Sequence, residues 1–292
     1  VKPTTRTHIH TATLLGPWVI VLCVFWIYPL LYALVLSFSK YQTLTNSMQL
    51  VGFDNYVQAL KSEEFWNALK NTSIFTIGTV PVTTAIAVAL AVVVQRMTPR
   101  VSAVFRASYF LPSVTSLVVI ALVFTNLYSR DGYVNALCSM MGIAHPENGW
   151  LLNQGTALPA IMAMDIWISA GYYMVLFMAG LEAIPKDLYE NAELSGATRW
   201  QQFVKITLPL LRPTLLFVIV INSIKSFQIF VEVYVMTKGG PLGATSTLVY
   251  EVYHQAFEQS DSMGYASAIA YLMFVILVAV SVIQMKLIGE KA

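Results

Sequence analysis

The residues that could do chemistry stand out because their surroundings are so apolar. Asp165 lies inside one long apolar run, and Asn222, Lys225, Ser226, Gln228 and Glu232 lie inside another. Asn222, Lys225, Ser226, Ile229 and Glu232 recur at spacings of three or four, which defines a mostly polar stripe on one helix face. Gln228 falls on another face. Charge is costly in such a run and is expected to face a bundle interior, a cavity or a partner subunit. Two explanations fit this stripe. It is either a structural ionic and hydrogen-bond network or the lining of a path for a polar solute. In the second case the roles would be hydroxyl recognition, solvation or maintenance of helix position, with Asp165 as a supporting charge.

Other chemistry is not encoded. There is no G-x-x-x-x-G-K-[ST] phosphate loop, so an ATP-driven role requires a separate nucleotide-binding subunit. His8, His10, His145 and His254 form no H-E-x-x-H pattern, and there is no G-x-S-x-G nucleophile elbow. Cys23 and Cys138 make neither a metal-spacing motif nor a disulfide framework and read as small apolar fillers. No metal, cofactor or nucleic-acid partner is expected for the chain.

A second constellation, residues 181–213, interrupts the apolar pattern with charge, a glycine and spaced prolines. Pro185 can start a short helix, because its missing N–H is tolerated in the first turn. Tyr189, Ala192 and Leu188 could form a compact face, with Glu190 and Glu193 offering charged contacts. Gly196 permits a sharp reversal. Trp200, Phe203 and Ile206 then make another apolar face. The stretch reads as a rigid protruding element suited to transmitting movement between proteins; a surface-lying linker is the plainer alternative.

The elements that must position these residues follow from composition. Of 292 residues, 57% are hydrophobic and 11% charged, against about 25% charged in soluble chains. Six windows approach the ~20 apolar residues needed to cross a bilayer. They lie near Leu14 to Leu36, Asn71 to Val94, Ala107 to Leu127, Ala157 to Gly180, Thr214 to Met236 and Ala266 to Leu287. Lipid offers no hydrogen bonds to the backbone, so these windows should be helices. The expected fold is an all-α polytopic membrane protein of six spans, in one domain over 1–292. The first window is too long for a signal-peptide core and is read as a retained helix.

With both termini cytoplasmic, the inner regions carry eleven Lys and Arg (Lys2, Arg6, Arg96, Arg100, Arg106, Lys186, Arg199, Lys205, Arg212, Lys286 and Lys291). The outer loops carry five (Lys40, Lys61, Lys70, Arg130 and Lys238) together with eight acids. The bias follows the positive-inside rule. It places residues 181–213 inside, between spans four and five.

Local signals add detail. Residues 37–70 should form two short helices on the outer surface, one behind Asp54 and one carrying Phe65, Trp66 and Leu69. Pro81 and Pro112 should kink spans two and three. Trp150 is expected to anchor at the interface. Residues 245–257 should form a short amphipathic helix after the Gly-Gly-Pro turn at 239–241.

The run ENAELSGATRWQQFVKITLPLLRP resembles the EAA loop of permease subunits in bacterial ABC importers. Glu190, Ala192, Gly196, Ala197, Phe203, Ile206, Pro209, Leu211 and Pro213 stand at the family's offsets. Asn191 and Ser195 depart from its alanine and aspartate. The stretches GFDNYVQAL, FRASYFLP, DGYVNAL and TKGGPLGATSTLVYEVYHQAF resemble the MalF-like branch for sugars and related solutes. The resemblance implies a coupling loop at 181–213 and a second permease subunit. It also implies two ATPase subunits that hold ATP and Mg, and an external solute-binding protein. The implied cargo is a sugar or oligosaccharide crossing the bacterial cell membrane. A polyol or glycerol-phosphate-like solute is an alternative, and a secondary transporter is another.

Overall fold

The computed structural model describes residues 5–42 and 47–289. Lys2, Lys291 and the side chain of Arg6, counted above for topology, lie outside the described residues. The chain divides into two compact units, Val1–Ser62 with Val252–Met273, and Glu63–Glu251 with Phe274–Ala292.

The first unit opens with α1 (Thr5–Leu22), which runs through a π turn (Cys23–Ile27) into α2 (Tyr28–Ser37). Helix thus begins ahead of the expected Leu14. Next comes an antiparallel hairpin, β1 (Ser39–Gln42) against β2 (Ser47–Leu50), with Ser39 opposite Leu50. The hairpin was not anticipated, because SKYQ and SMQL are short and weakly patterned. The expected helix behind Asp54 is α3 (Asp54–Lys61). It is fastened by Asn55, whose Nδ2 donates to the carbonyls of Ser37 and Ser39 at 2.9 and 3.0 Å. Phe38 packs edge-on against Phe53, and Ser37 Oγ lies 2.7 Å from Tyr56 Oη.

The second unit is built on α4 (Glu63–Gln95), 33 residues long. The expected second surface helix is absent; Phe65, Trp66 and Leu69 belong to the opening turns of α4. Only Ser62 is extended, and with Glu63 and Glu64 favouring a helix start nothing stops the helix before the apolar run. Pro81 does not interrupt it. The bent third span is α5 (Pro99–Val114) and α6 (Leu117–Leu127), which meet at 93°. The break falls just after Pro112, at extended Thr115 and Ser116. Ser113 and Thr115 hydroxyls donate to the carbonyls of Phe110 and Leu111, capping the helix end that the bend exposes. Among the described residues five helical stretches are long and apolar enough to span, and a sixth span exists if this bent pair crosses.

Beyond it lies α7 (Tyr133–Met140), in the loop that joins the bent pair to the next span. Trp150 is not simply an interfacial anchor: its indole N–H donates to Asn135 Oδ1 at 2.7 Å and ties that loop together. Then come α8 (Gln154–Glu182), α9 (Lys186–Leu194), α10 (Arg199–Gln202) and α11 (Leu208–Leu210). The fifth span, α12 (Arg212–Phe227), breaks at residues 228–230 before α13 (Val231–Met236). The amphipathic stretch is helical only from Leu248, as α14 (Leu248–Tyr253) followed by a π turn. The last span is α15 (Met263–Gly289).

Lipid tails are as apolar as leucine, so burial alone cannot hold these helices together; close packing and polar contacts must. The face that α4 buries is accordingly small, with Ala68, Thr72, Thr79, Thr83, Ala87 and Ala91 recurring at helical spacing. Thr72, Thr76 and Thr79 turn their hydroxyls back to carbonyls four residues earlier. Against this face lies α8. Phe75, Ile161 and Met164 form one cluster between the helices and Ala91, Tyr173 and Phe177 another.

On α8, Gly171 is where α5 comes closest: a Cβ there would stand 1.8 Å from the Tyr109 carbonyl oxygen. Backbone cannot yield as a side-chain tip can. Gly171→Ala should therefore lower stability by about 1–3 kcal/mol through overpacking, read as a lower melting temperature in detergent. An unchanged melting temperature would show that α5 and α8 part freely.

Candidate functional site

The residues from Glu190 to Pro213 form a capped double turn between α8 and α12. The end of α9 is closed by two main-chain bonds, Ala197 N–H to Ala192 O and Gly196 N–H to Glu193 O, both 2.9 Å. This is a Schellman closure, which places Gly196 at φ +76°. A Cβ on Gly196 would meet nothing within 4 Å, so the glycine answers to backbone conformation and not to space. Thr198 then caps α10 reciprocally with Gln201, accepting at Oγ1 from the Gln201 N–H and donating its own N–H to Gln201 Oε1. Phe203 and Ile206 lie in a π turn, Pro209 in the first turn of α11, and Pro213 in the first turn of α12.

Two contacts anchor this element to the bundle. Tyr189 Oη lies 2.9 Å from Thr207 Oγ1, and Tyr189 and Phe203 pack on the inner core cluster that includes Leu211. Tyr189 thus turns inward. Leu188, Leu194 and Trp200 point outward, at 38, 88 and 71% exposure, alongside exposed Glu190. Leu194 was not singled out from sequence.

The intramembrane polar residues separate into distinct surroundings. Asp165 on α8 is 3% exposed. Lys225 on α12 reaches it at 3.2 Å, and Ser169 completes the triangle: Lys225 Nζ to Ser169 Oγ is 2.6 Å and Ser169 Oγ to Asp165 Oδ1 is 3.3 Å. Ser169 was missed, although four residues after Asp165 puts it on the same helix face. Ser226 faces α4 instead, 3.3 Å from Thr79 Oγ1. Asn222, one turn below, is fully buried and neither of its amide atoms has a partner among the described residues. Gln228 is exposed where α12 ends, and Glu232 is buried in the first turn of α13. The break at 228–230 therefore divides the expected stripe. A separate cavity of about 770 Å³, lined mostly by apolar residues with Thr84, Ser223 and Gln284, contains none of these charges. Among the described residues no cluster of His, Cys, Asp and Glu is arranged to hold a metal ion.

Residues 82–291 match the family described as binding-protein-dependent transport system inner membrane component. The lactose transport system permease protein LacF of Rhizobium radiobacter is 34% identical over 271 residues, covering 92% of this chain and 90% of that relative. The arabinooligosaccharides transport system permease protein AraP of Bacillus subtilis is 31% identical, covering 94% and 87%. The trehalose/maltose transport system permease protein MalF of Thermococcus litoralis is also 31% identical, covering 92% and 90%. In fold, the chain is similar to one in a bacterial alginate ABC transporter complexed with an alginate pentasaccharide-bound periplasmic protein. The TM-score is 0.82 at 24% identity, over 96% of this chain and 93% of that one.

Removing Lys225 would leave the Asp165 carboxylate buried without a counter-charge. Breaking a buried pair costs about 3–5 kcal/mol. The lysine side chain is 48% exposed, which puts Lys225→Met nearer about 2 kcal/mol. Adding Asp165→Asn should recover most of that loss, as read from denaturant midpoints of the two variants and wild type. Equal loss in single and double variants would show that the pair does not hold α8 to α12.

Proposed function

We propose, for a chain that belongs to the family of binding-protein-dependent transport system inner membrane components, that it moves a sugar or oligosaccharide across the bacterial cell membrane. It is a permease subunit of an ABC importer, and the hydrolytic chemistry belongs to separate ATPase subunits. The observation that carries the substrate class is that relatives named for lactose, arabinooligosaccharides and trehalose/maltose each cover most of this chain.

In this reading the whole chain acts as one permease domain. It crosses the membrane six times, the bent α5–α6 pair counting as one crossing, and both termini are cytoplasmic. It pairs with a second permease and two ATPases that bind ATP and Mg, and receives its cargo from an external solute-binding protein. Residues 181–213 are the coupling loop. Glu190 offers a carboxylate to a basic groove on the ATPase, with exposed Leu188, Leu194 and Trp200 supplying apolar contact. Ala192, Gly196 and Ala197 hold the closure that aims Glu190. Phe203, Pro209 and Pro213 carry the displacement into α12.

Asp165 and Lys225 hold α8 and α12 together and present a polar edge to the path, with Gln228 beside them. Asn222, buried, and Ser226, turned toward α4, maintain helix position. Glu232 contributes its charge beyond the break. A neutral sugar offers many hydroxyls and no charge, which suits donors and acceptors already neutralised among themselves.

Three experiments test this reading. Reconstituted with its neighbouring-gene permease, ATPase and solute-binding protein, the complex should hydrolyse ATP faster when a sugar from a mono- and oligosaccharide panel is added. Transport by an assembly without any ATPase would overturn the assignment. For sidedness, cysteine replacing Lys61 should react with an impermeant thiol reagent in intact cells, and cysteine replacing Lys186 should not; reversed labelling would invert the topology.

The loop makes its own demand. Glu190→Ala and Gly196→Val should lower sugar-stimulated ATP hydrolysis by roughly tenfold in equal amounts of assembled complex. Gly196→Asn should keep most of it, since asparagine tolerates positive φ and the space is open. Wild-type coupling in both of the first two variants would leave the stretch an ordinary linker.

A further inference from the structure

Beneath the coupling element lies a pocket of about 680 Å³ that none of the roles above uses. It is framed by the end of α4, the end of α8, and the α9–α10 double turn. Arg96, Lys186 and Arg199 all line it. None of the three side chains has an ion pair or hydrogen bond among the described residues. Two acids share the lining, but Glu182 is drawn 3.9 Å from Arg106, which is not part of the pocket. Glu193 is left against three cations. The remaining wall includes Leu181 and Ile184, 4 and 8% exposed, so part of the site is low-dielectric and strengthens attraction for an anion.

We propose that this pocket binds a phosphate group. Two guanidinium forks and an ammonium lining one open pocket match tetrahedral oxyanions better than they match carbohydrate hydroxyls. The group could arrive on a phospholipid, since the pocket sits where α4 and α8 leave the apolar layer, or on a soluble phosphorylated metabolite. Because Arg96 belongs to α4 and Arg199 to α10, an occupant held by both braces the coupling element against α4. That consequence rests on the coupling role proposed above; the binding itself does not.

The binding is tested on the full chain in nanodiscs, without ATPase, so its outcome is independent of transport. In discs of mixed phosphatidylcholine and phosphatidylglycerol, native mass spectrometry should show phosphatidylglycerol retained by wild type. Arg96→Gln with Arg199→Gln should retain about tenfold less, the loss expected for charge-assisted hydrogen bonds. Arg100→Gln, outside the pocket, should retain as much as wild type. Glu193→Gln removes the remaining acid and should retain more, which a misfolded variant would not do. In discs of phosphatidylcholine alone, inorganic phosphate should raise the melting temperature above that in chloride of equal ionic strength, and the double variant should not respond.

Retention without a phosphate response assigns the pocket to lipid; a phosphate response without retention assigns it to soluble phosphates. If neither effect depends on Arg96 and Arg199, or if Arg100→Gln reduces both equally, the proposal fails. It also fails if wild type shows neither effect, which would leave the pocket to acidic side chains of a partner protein.

Discussion

A carboxylate 3% exposed in the middle of an apolar helix has to be answered by another chain segment. Asp165 is answered by Lys225 and Ser169, and the answer fixes which faces of α8 and α12 meet. Hydrophobic burial cannot make that choice, because lipid is as good a solvent for leucine as another helix is. The ion pair thus supplies register where apolar contact supplies only proximity. Small residues on α4 and the contact at Gly171 let neighbouring helices come close to α8. Specific polar contact and close packing therefore both act on α8.

The same two helices are those that residues 181–213 connect. A force applied at Glu190 or Trp200 enters a segment with little freedom to absorb it. The Schellman closure fixes the turn, the reciprocal cap fixes α10, and the Tyr189 to Thr207 contact ties α9 to the π turn before α11. In the coupling role proposed above, displacement of the loop would pass to the ends of α8 and α12 that it joins. Where those helices meet again is at Lys225 and Asp165. In that role the charged pair would hold the two spans together as they move.

Much of this was legible in the sequence, for identifiable reasons. Apolar runs near twenty residues gave the spans, because backbone in lipid has almost no alternative to helix. Gly196 marked the turn because positive φ selects for glycine. What escaped was decided by partners distant in sequence or by local breaks with no composition of their own. The pairing of β1 with β2 lies beside Asn55, which donates to two carbonyls sixteen and eighteen residues away. The bend at 115–116 carries only a serine and a threonine beyond Pro112. The start of α4 at Glu63 was hidden because one extended residue, Ser62, looks no different from a longer loop.

The polar stripe shows the limit of periodicity most clearly. Spacing of three or four puts Asn222, Lys225, Ser226 and Glu232 on one face only while the helix continues. At residues 228–230 it does not, so Glu232 belongs to a different helix from the rest. Within α12 the arc is also wide enough to divide. Ser226 falls toward α4 and Asn222 is buried, while Lys225 crosses to α8 and leaves nearly half its side chain exposed. A fully buried amide without partners costs stability in this arrangement. The exposed edge of Lys225 and Gln228 has the opposite properties, open to one side and braced from the other. A path for hydroxyl-rich cargo would be expected to run along that edge.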